Sequence, residues 1–225
     1  MSPYEQENYL QIVIDVKWTC PSEVFAIHKV KNMLTRTLFV WTFKHPASGY
    51  VQGINDLAAT LLHVFLLDAI QEGSEERIAL TTQSFQGLSE EKCDEVEAST
   101  YWCLEKFSEN IQANYTDGQP GVYKIMGMVD KLIQKKDEEL IEVLALADFT
   151  IDKFVYRWVN CFLTWEFSME LVTRIWDTLL SEELEISTAL GYVCAAMLLM
   201  IWEDIVKLQE TPEEIIMFIQ NPPTL

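Results

Sequence analysis

The chain has 225 residues, of which 49% are hydrophobic and 12% aromatic, with seven tryptophans; that supply supports a sizeable core and excludes a disordered chain. At ~150 residues per domain it makes one large domain or two small lobes. Its net charge of −19 is carried almost wholly after residue 71, where 29 acidic side chains face 11 basic ones. Such a surface repels phosphate backbones and anionic leaflets and argues against nucleic acid or a polybasic membrane contact as partners.

Helical periodicity begins at Ser22, after which Ile27, Val30, Leu34, Leu38 and Trp41 recur at spacings of three and four until Pro46. Ala47–Gly53 is a short loop with two glycines, and a helix is predicted from about Ile54 to Ala69. Residues 70–92 are acidic and weakly periodic, which predicts a loop with one short helix. Val96, Tyr101, Leu104, Phe107 and Ile111 form a helical stripe within Asp94–Ala113. Asp117-Gly118-Gln119-Pro120 is a turn that opens a helix to about Lys135, and Asp137 is expected to cap the next. Two further helices are expected over Ile151–Trp165 and Ser168–Leu180, and Thr211-Pro212-Glu213-Glu214 matches a capping box. Glycine and proline together number only 15, and no strand alternation emerges. The expected fold is all-α, with eight to ten helices and Trp158 and Trp176 in the core.

The longest uncharged run, Ile186–Trp202, spans 17 residues but lacks basic flanks; it reads as a buried central helix rather than a membrane span. The five cysteines, Cys20, Cys93, Cys103, Cys161 and Cys194, are odd in number and form no C-x-x-C pair, so they read as reduced thiols. No apolar leader follows Met1, and the sequon at Asn114-Tyr115-Thr116 has no meaning in a chain that stays out of the secretory lumen.

The motifs of phosphate-binding loops, dinucleotide sites, zinc proteases and serine hydrolases are missing. His28, His45 and His63 are widely spaced with no neighbouring cysteine ligand, so neither a metal nor another cofactor is expected. The one loop with chemical promise is Tyr50-Val51-Gln52-Gly53. Its residues allow two readings: a plain turn between helices, or an exposed amide that accepts from a water while donating to a phosphate oxygen.

The segment His45-Pro46-Ala47-Ser48-Gly49-Tyr50-Val51-Gln52-Gly53-Ile54-Asn55-Asp56-Leu57 resembles the YxQG region of TBC domains, the GTPase-activating proteins of Rab GTPases. The resemblance is strongest to their Golgi-associated branch. It continues through Glu97–Cys103, Asn114–Thr116, Gln119–Gly121, Tyr156–Trp158, Arg174–Asp177, Val193–Ala196 and Phe218–Asn221, nearly the whole chain. The resemblance implies a two-lobed helical TBC domain over residues 1–225 that inserts an arginine and a glutamine into a Rab active site. Gln52 corresponds to the glutamine finger, with Tyr50, Gly53, Asn55 and Asp56 in support. The arginine motif IxxDxxR aligns with Ile12–Trp18: Ile12 and Asp15 match, and Trp18 stands at the arginine position.

That substitution governs the functional expectation. An arginine finger supplies ~10³–10⁵ in rate, whereas indole offers one N–H and no charge. Lys17 is the adjacent cation and a weaker substitute, because an ammonium lacks the planar fork of guanidinium. The chain's arginines are Arg36, Arg77, Arg157 and Arg174, none in the finger segment. Where many family members carry Arg-Glu, this sequence has Trp165-Glu166. The family's first helical motif and its last helices have no counterpart here. The resemblance implies a regulator of GTP-bound Rab, cytoplasmic and held peripherally at Golgi or other endomembranes through that partner. Activation of hydrolysis, an inactive Rab-binding adaptor and a helical scaffold without a GTPase partner all remain open.

Overall fold

Ser2 caps the first helix: its hydroxyl accepts from the Glu5 N–H (3.2 Å) while the Glu5 carboxylate accepts from the Ser2 N–H (2.6 Å), with Pro3 at the first helical position. This helix, α1 (Pro3–Trp18), precedes the first periodicity visible in the sequence. Its apolar residues point both ways. Ile12 and Val16 are buried, whereas Leu10, Val13, Ile14 and Trp18 are exposed, so no stripe betrays it.

The computed structural model describes residues 1–74, 78–136 and 152–208, together with 214, 217 and 218. Among these residues all regular structure is helical. After α1 come α2 (His28–Lys44), α3 (Ile54–Gln71), α4 (Thr82–Gln86), α5 (Glu90–Glu109), a 3₁₀ turn (Gln112–Asn114), α6 (Pro120–Lys136), α7 (Asp152–Asn160), α8 (Met169–Ser181) and α9 (Ile186–Lys207). The expected caps at Asp137 and Thr211 lie outside the described residues.

Several of the expected boundaries move, and the helix expected over Asp94–Ala113 runs Glu90–Glu109. Ser22–Ile27 forms turns rather than helix, and α2 starts at His28. The helix expected to reach Trp165 stops at Asn160, because Phe162 and Leu163 adopt φ of +48° and +65°. In that turn the Leu163 N–H reaches back to the Trp158 carbonyl (2.9 Å), closing the helix as a Schellman motif does. The indole N–H of Trp176 donates to the Phe162 carbonyl (3.0 Å), which holds the turn from across the core.

The helices pack as two groups. In the first, α3 lies against α5 and α2, and α1 lies on α2; in the second, α9 lies against α6, α7 and α8. α3 is buried continuously from Ile54 to Leu62. It is also the one described helix long and apolar enough to cross a membrane, although 56% of that span is buried inside the protein. The groups meet where Phe107 of α5 stacks on Trp176 of α8, ring centroids 5.0 Å apart. Trp158 and Trp176 are both buried. Asn114 and Tyr115 of the sequon are buried too, and all five cysteines are free thiols.

Candidate functional site

The loop from His45 to Gly53 ends where the two helical groups touch. Two of its glycines are required by geometry. Gly49 has φ +65°, and a Cβ there would come within 2.2 Å of the Tyr4 hydroxyl; Gly53 has φ +107°, and a Cβ would come within 2.5 Å of Asn160 Nδ2. The left-handed backbone disfavours larger residues at both positions, and at Gly53 the Asn160 backbone carbonyl, 3.0 Å from that Cβ, adds a close approach.

Between these glycines the backbone is tied down at three points. The Tyr50 N–H donates to Asn8 Oδ1 (3.1 Å). The Gln52 carbonyl accepts from Asn160 Nδ2 (3.0 Å), and the Gly53 N–H donates to Asn55 Oδ1 (2.9 Å). The Gln52 side chain is itself exposed. An amide that faces solvent from a fixed backbone is preorganised, because ordering it for contact requires only its own rotamers.

Asn160, which sequence reasoning passed over, owes its position to three residues that lie in the resemblance's motifs, Tyr115, Gln119 and Tyr156. Its side-chain oxygen accepts from Gln119 Nε2 (2.7 Å), its backbone carbonyl accepts from the Tyr115 hydroxyl (2.6 Å), and the Tyr156 hydroxyl donates to Gln119 Oε1. These residues come from two segments, 115–119 and 156–160, about 40 positions apart, so no local spacing announces their contacts.

On the other side of the loop stands the end of α1. Asp15 is buried and accepts from Gln11 Nε2 (3.0 Å) and from the Tyr50 hydroxyl (2.8 Å). The Asp15 carbonyl accepts from the Thr19 hydroxyl (2.8 Å), whose oxygen accepts from Asn55 Nδ2 (2.9 Å). One network therefore joins the last turn of α1, the Gln52 loop and the first turn of α3. Burial, followed by the charge of Asp15, pushes the Tyr50 phenol well above its ordinary range, so it stays a donor.

Trp18 is the last residue of α1 and is 69% exposed. Lys17 lies over its ring, with Nζ 5.2 Å from the centroid, a cation–π contact. Of the arginines, Arg36 is engaged by Glu97 and Arg157 by Glu166, while Arg174 is exposed on α8.

Asp56, in the first turn of α3, is only 8% exposed. Burial raises its carboxyl above the ordinary range, with polar contacts from Trp165 and Cys161 opposing that shift and the nearby Asp15 adding to it. Its own burial, followed by the charge of Asp56, pushes the Cys161 thiol upward. Trp165 is half-exposed, at 50%. The structure thus gathers Asp15, Tyr50, Gly53, Asn55 and Asp56 beneath an exposed Gln52, with Trp18 and Lys17 at the adjoining helix end. Among the described residues no group of acidic, histidine or cysteine side chains has the arrangement of a metal site.

The family model for the Rab-GTPase-TBC domain matches residues 1–206. The chain belongs to this family. Among TBC proteins it is 36% identical to TBC1 domain family member 22A of Homo sapiens over 219 residues, which cover 97% of this chain and 41% of that protein. It is also 36% identical to the GTPase-activating protein gyp1 of Schizosaccharomyces pombe over 224 residues, covering 99% of this chain and 42% of that protein. The chain thus spans about two fifths of the length of these curated relatives. The crystal structure of the Ypt/Rab-GAP domain of Gyp1p superimposes with a TM-score of 0.85 at 33% identity, covering all of this chain and 69% of that one. The TBC fold, with its helices in this order, is therefore that of the present chain.

Proposed function

We propose that this TBC domain binds a GTP-loaded Rab GTPase through the face bearing Gln52 and the end of α1, and that it accelerates hydrolysis weakly or not at all. The observation that carries the proposal is the pairing of an exposed Gln52 on a pinned backbone with an exposed Trp18 at the position where the family motif has arginine. Gln52 supplies an amide that accepts from a water and donates to a phosphate oxygen. Trp18 supplies no charge to offset the negative charge that develops between the phosphates. Lys17 does not replace it, because its ammonium is turned onto the Trp18 ring and lacks the bidentate fork.

The relatives' names, a GTPase-activating protein and a Ypt/Rab-GAP domain, support a regulator of Rab hydrolysis; that it acts in trans, in the cytoplasm and recruited to Golgi or other endomembranes by its partner is part of the proposal. The second reading, an inactive Rab-binding adaptor, draws on the same Trp18. Single-turnover GTP hydrolysis across a panel of Rabs, with binding measured in parallel, separates these readings. Acceleration identifies an activator, and GTP-dependent binding without acceleration identifies an adaptor. Absence of binding to any Rab refutes the proposal.

A further inference from the structure

Beside the Gln52 network, and independent of what Gln52 does, lies a cavity of about 340 Å³ lined by residues that include Cys20, Ser22, Asp56, Thr164, Trp165 and Phe167. It lies at the lower end of the ~300–1,000 Å³ typical of small-ligand sites. Of the polar groups in its wall, Asp56 has neutral contacts from Trp165 and Cys161 but no cation, and Thr164 has no partner. The Asp56 carboxylate is only 8% exposed, and no lysine, arginine or histidine among the described residues forms an ion pair with it. The Thr164 hydroxyl is buried and has no hydrogen-bond partner. A buried carboxylate without a cation and a buried hydroxyl without a partner are each costly, and finding both in one cavity calls for a single explanation. A half-exposed indole, that of Trp165, forms another part of the wall.

We propose that this cavity receives a guanidinium group, the side chain of an arginine on a partner protein. A cation is required because a neutral donor leaves the Asp56 charge uncompensated. Guanidinium fits better than ammonium for three reasons. Its planar fork meets a carboxylate with two parallel N–H donors, a further N–H remains for the Thr164 hydroxyl, and its weakly hydrated face stacks on an indole. The strongly acidic remainder of the chain attracts a basic partner towards this mouth.

The test titrates the protein with N-acetyl-arginine amide, following the backbone amide NMR resonances of Ser22, Thr164 and Ser168. The neutral isostere N-acetyl-citrulline amide and N-acetyl-lysine amide serve as comparisons. A saturable shift is expected with the arginine compound, at least tenfold weaker with citrulline and weaker with lysine. Asp56→Asn is expected to weaken arginine binding at least tenfold. Trp165→Arg, which places the chain's own guanidinium beside the cavity, is expected to abolish the response and raise the melting temperature. Thr164→Val supplies a second probe of the wall should Asp56→Asn fail to fold, and a several-fold loss is expected from it. Equal response to citrulline, undiminished binding in the folded variants, or no saturable shift overturns the proposal. Preference for lysine overturns the guanidinium assignment.

Discussion

The Tyr50 hydroxyl donates to Asp15 over 2.8 Å, and this bond couples the side chain beside Gln52 directly to the helix turn that ends in Trp18. The two residues are 35 positions apart in the chain, yet they set the relation between the two segments that the family motif pairs. The Tyr50 hydroxyl also lies 3.1 Å from Asn55 Oδ1, so removing Asp15 leaves it that acceptor, whereas removing the Tyr50 hydroxyl leaves the buried Asp15 carboxylate with Gln11 alone.

Tyr50→Phe deletes that donor and keeps the ring. The expected loss is about 1–3 kcal/mol of stability, the range for leaving one buried partner unsatisfied. Amide exchange at Gln52 and Gly53 should quicken by more than at Leu57, deep in α3. Urea unfolding with hydrogen exchange by NMR measures both, and uniform protection across the loop contradicts the coupling.

Gly53→Ala tests the opposite flank. The added Cβ meets Asn160 Nδ2 at 2.5 Å and must sit at φ +107°. A residue held in so sparsely populated a region costs on the order of 1–3 kcal/mol. Displacing Asn160 adds the loss of its bond to the Gln52 carbonyl. The variant is expected to melt several degrees lower and to bind Rab less tightly. A double variant with Asn160→Ala should recover part of the steric cost without restoring binding.

How far the sequence discloses this arrangement depends on the kind of signal each residue leaves. α3 and α9 are apolar enough to be read directly, and the turn at Gln119-Pro120 announces α6 through chain chemistry alone. α1 leaves no stripe, because Leu10 and Ile14 face solvent while Ile12 and Val16 face the core. The early end of α7 depends on Phe162 and Leu163 adopting positive φ, which side chains of their type disfavour and which the Trp176 bond stabilises. At the site, Gln52 and Asp15 become legible through a motif resemblance. Asn160 does not, and Tyr115 falls in a matching motif without its role being visible, since both act through contacts across more than 40 positions of sequence.

The buried Asp56 predicts a pH dependence of stability with a definite sign. Burial raises its folded-state value above the 3.8 of an unperturbed aspartate, so the folded form binds this proton more tightly than the unfolded form does. The resulting stabilisation is fully present below 3.8 and is lost as pH rises through the folded-state value. Asn does not titrate. The stability difference between Asp56→Asn and the parent should therefore favour the variant more at pH 7 than at acid pH, with the change falling between the unfolded and folded values. Paired urea denaturation across that window measures it, and a difference independent of pH contradicts a buried, raised Asp56.

Trp18→Arg addresses the proposed function most directly. Trp18 is the terminal residue of α1 and 69% exposed, so replacing it disturbs no core packing and gives up only the Lys17 contact on its ring, and the Asp15 carboxylate is already engaged by Gln11 and Tyr50. The new guanidinium is thus free to project from the helix end that the Tyr50–Asp15 bond ties to the Gln52 loop. With a Rab first shown to bind, the parent protein should accelerate hydrolysis weakly or not at all. The variant should gain up to the ~10³–10⁵ that an arginine finger supplies, with Rab affinity changed much less. Lys17→Ala should leave any residual parent rate unchanged, because its ammonium rests on the Trp18 ring; loss of that rate would make Lys17 the acting cation. Gln52→Ala in the Trp18→Arg background should remove most of the gain, as expected if water positioning and charge stabilisation act together. A Rab-bound, folded Trp18→Arg protein that leaves hydrolysis at the parent rate would show that the missing charge at position 18 is not what limits this domain.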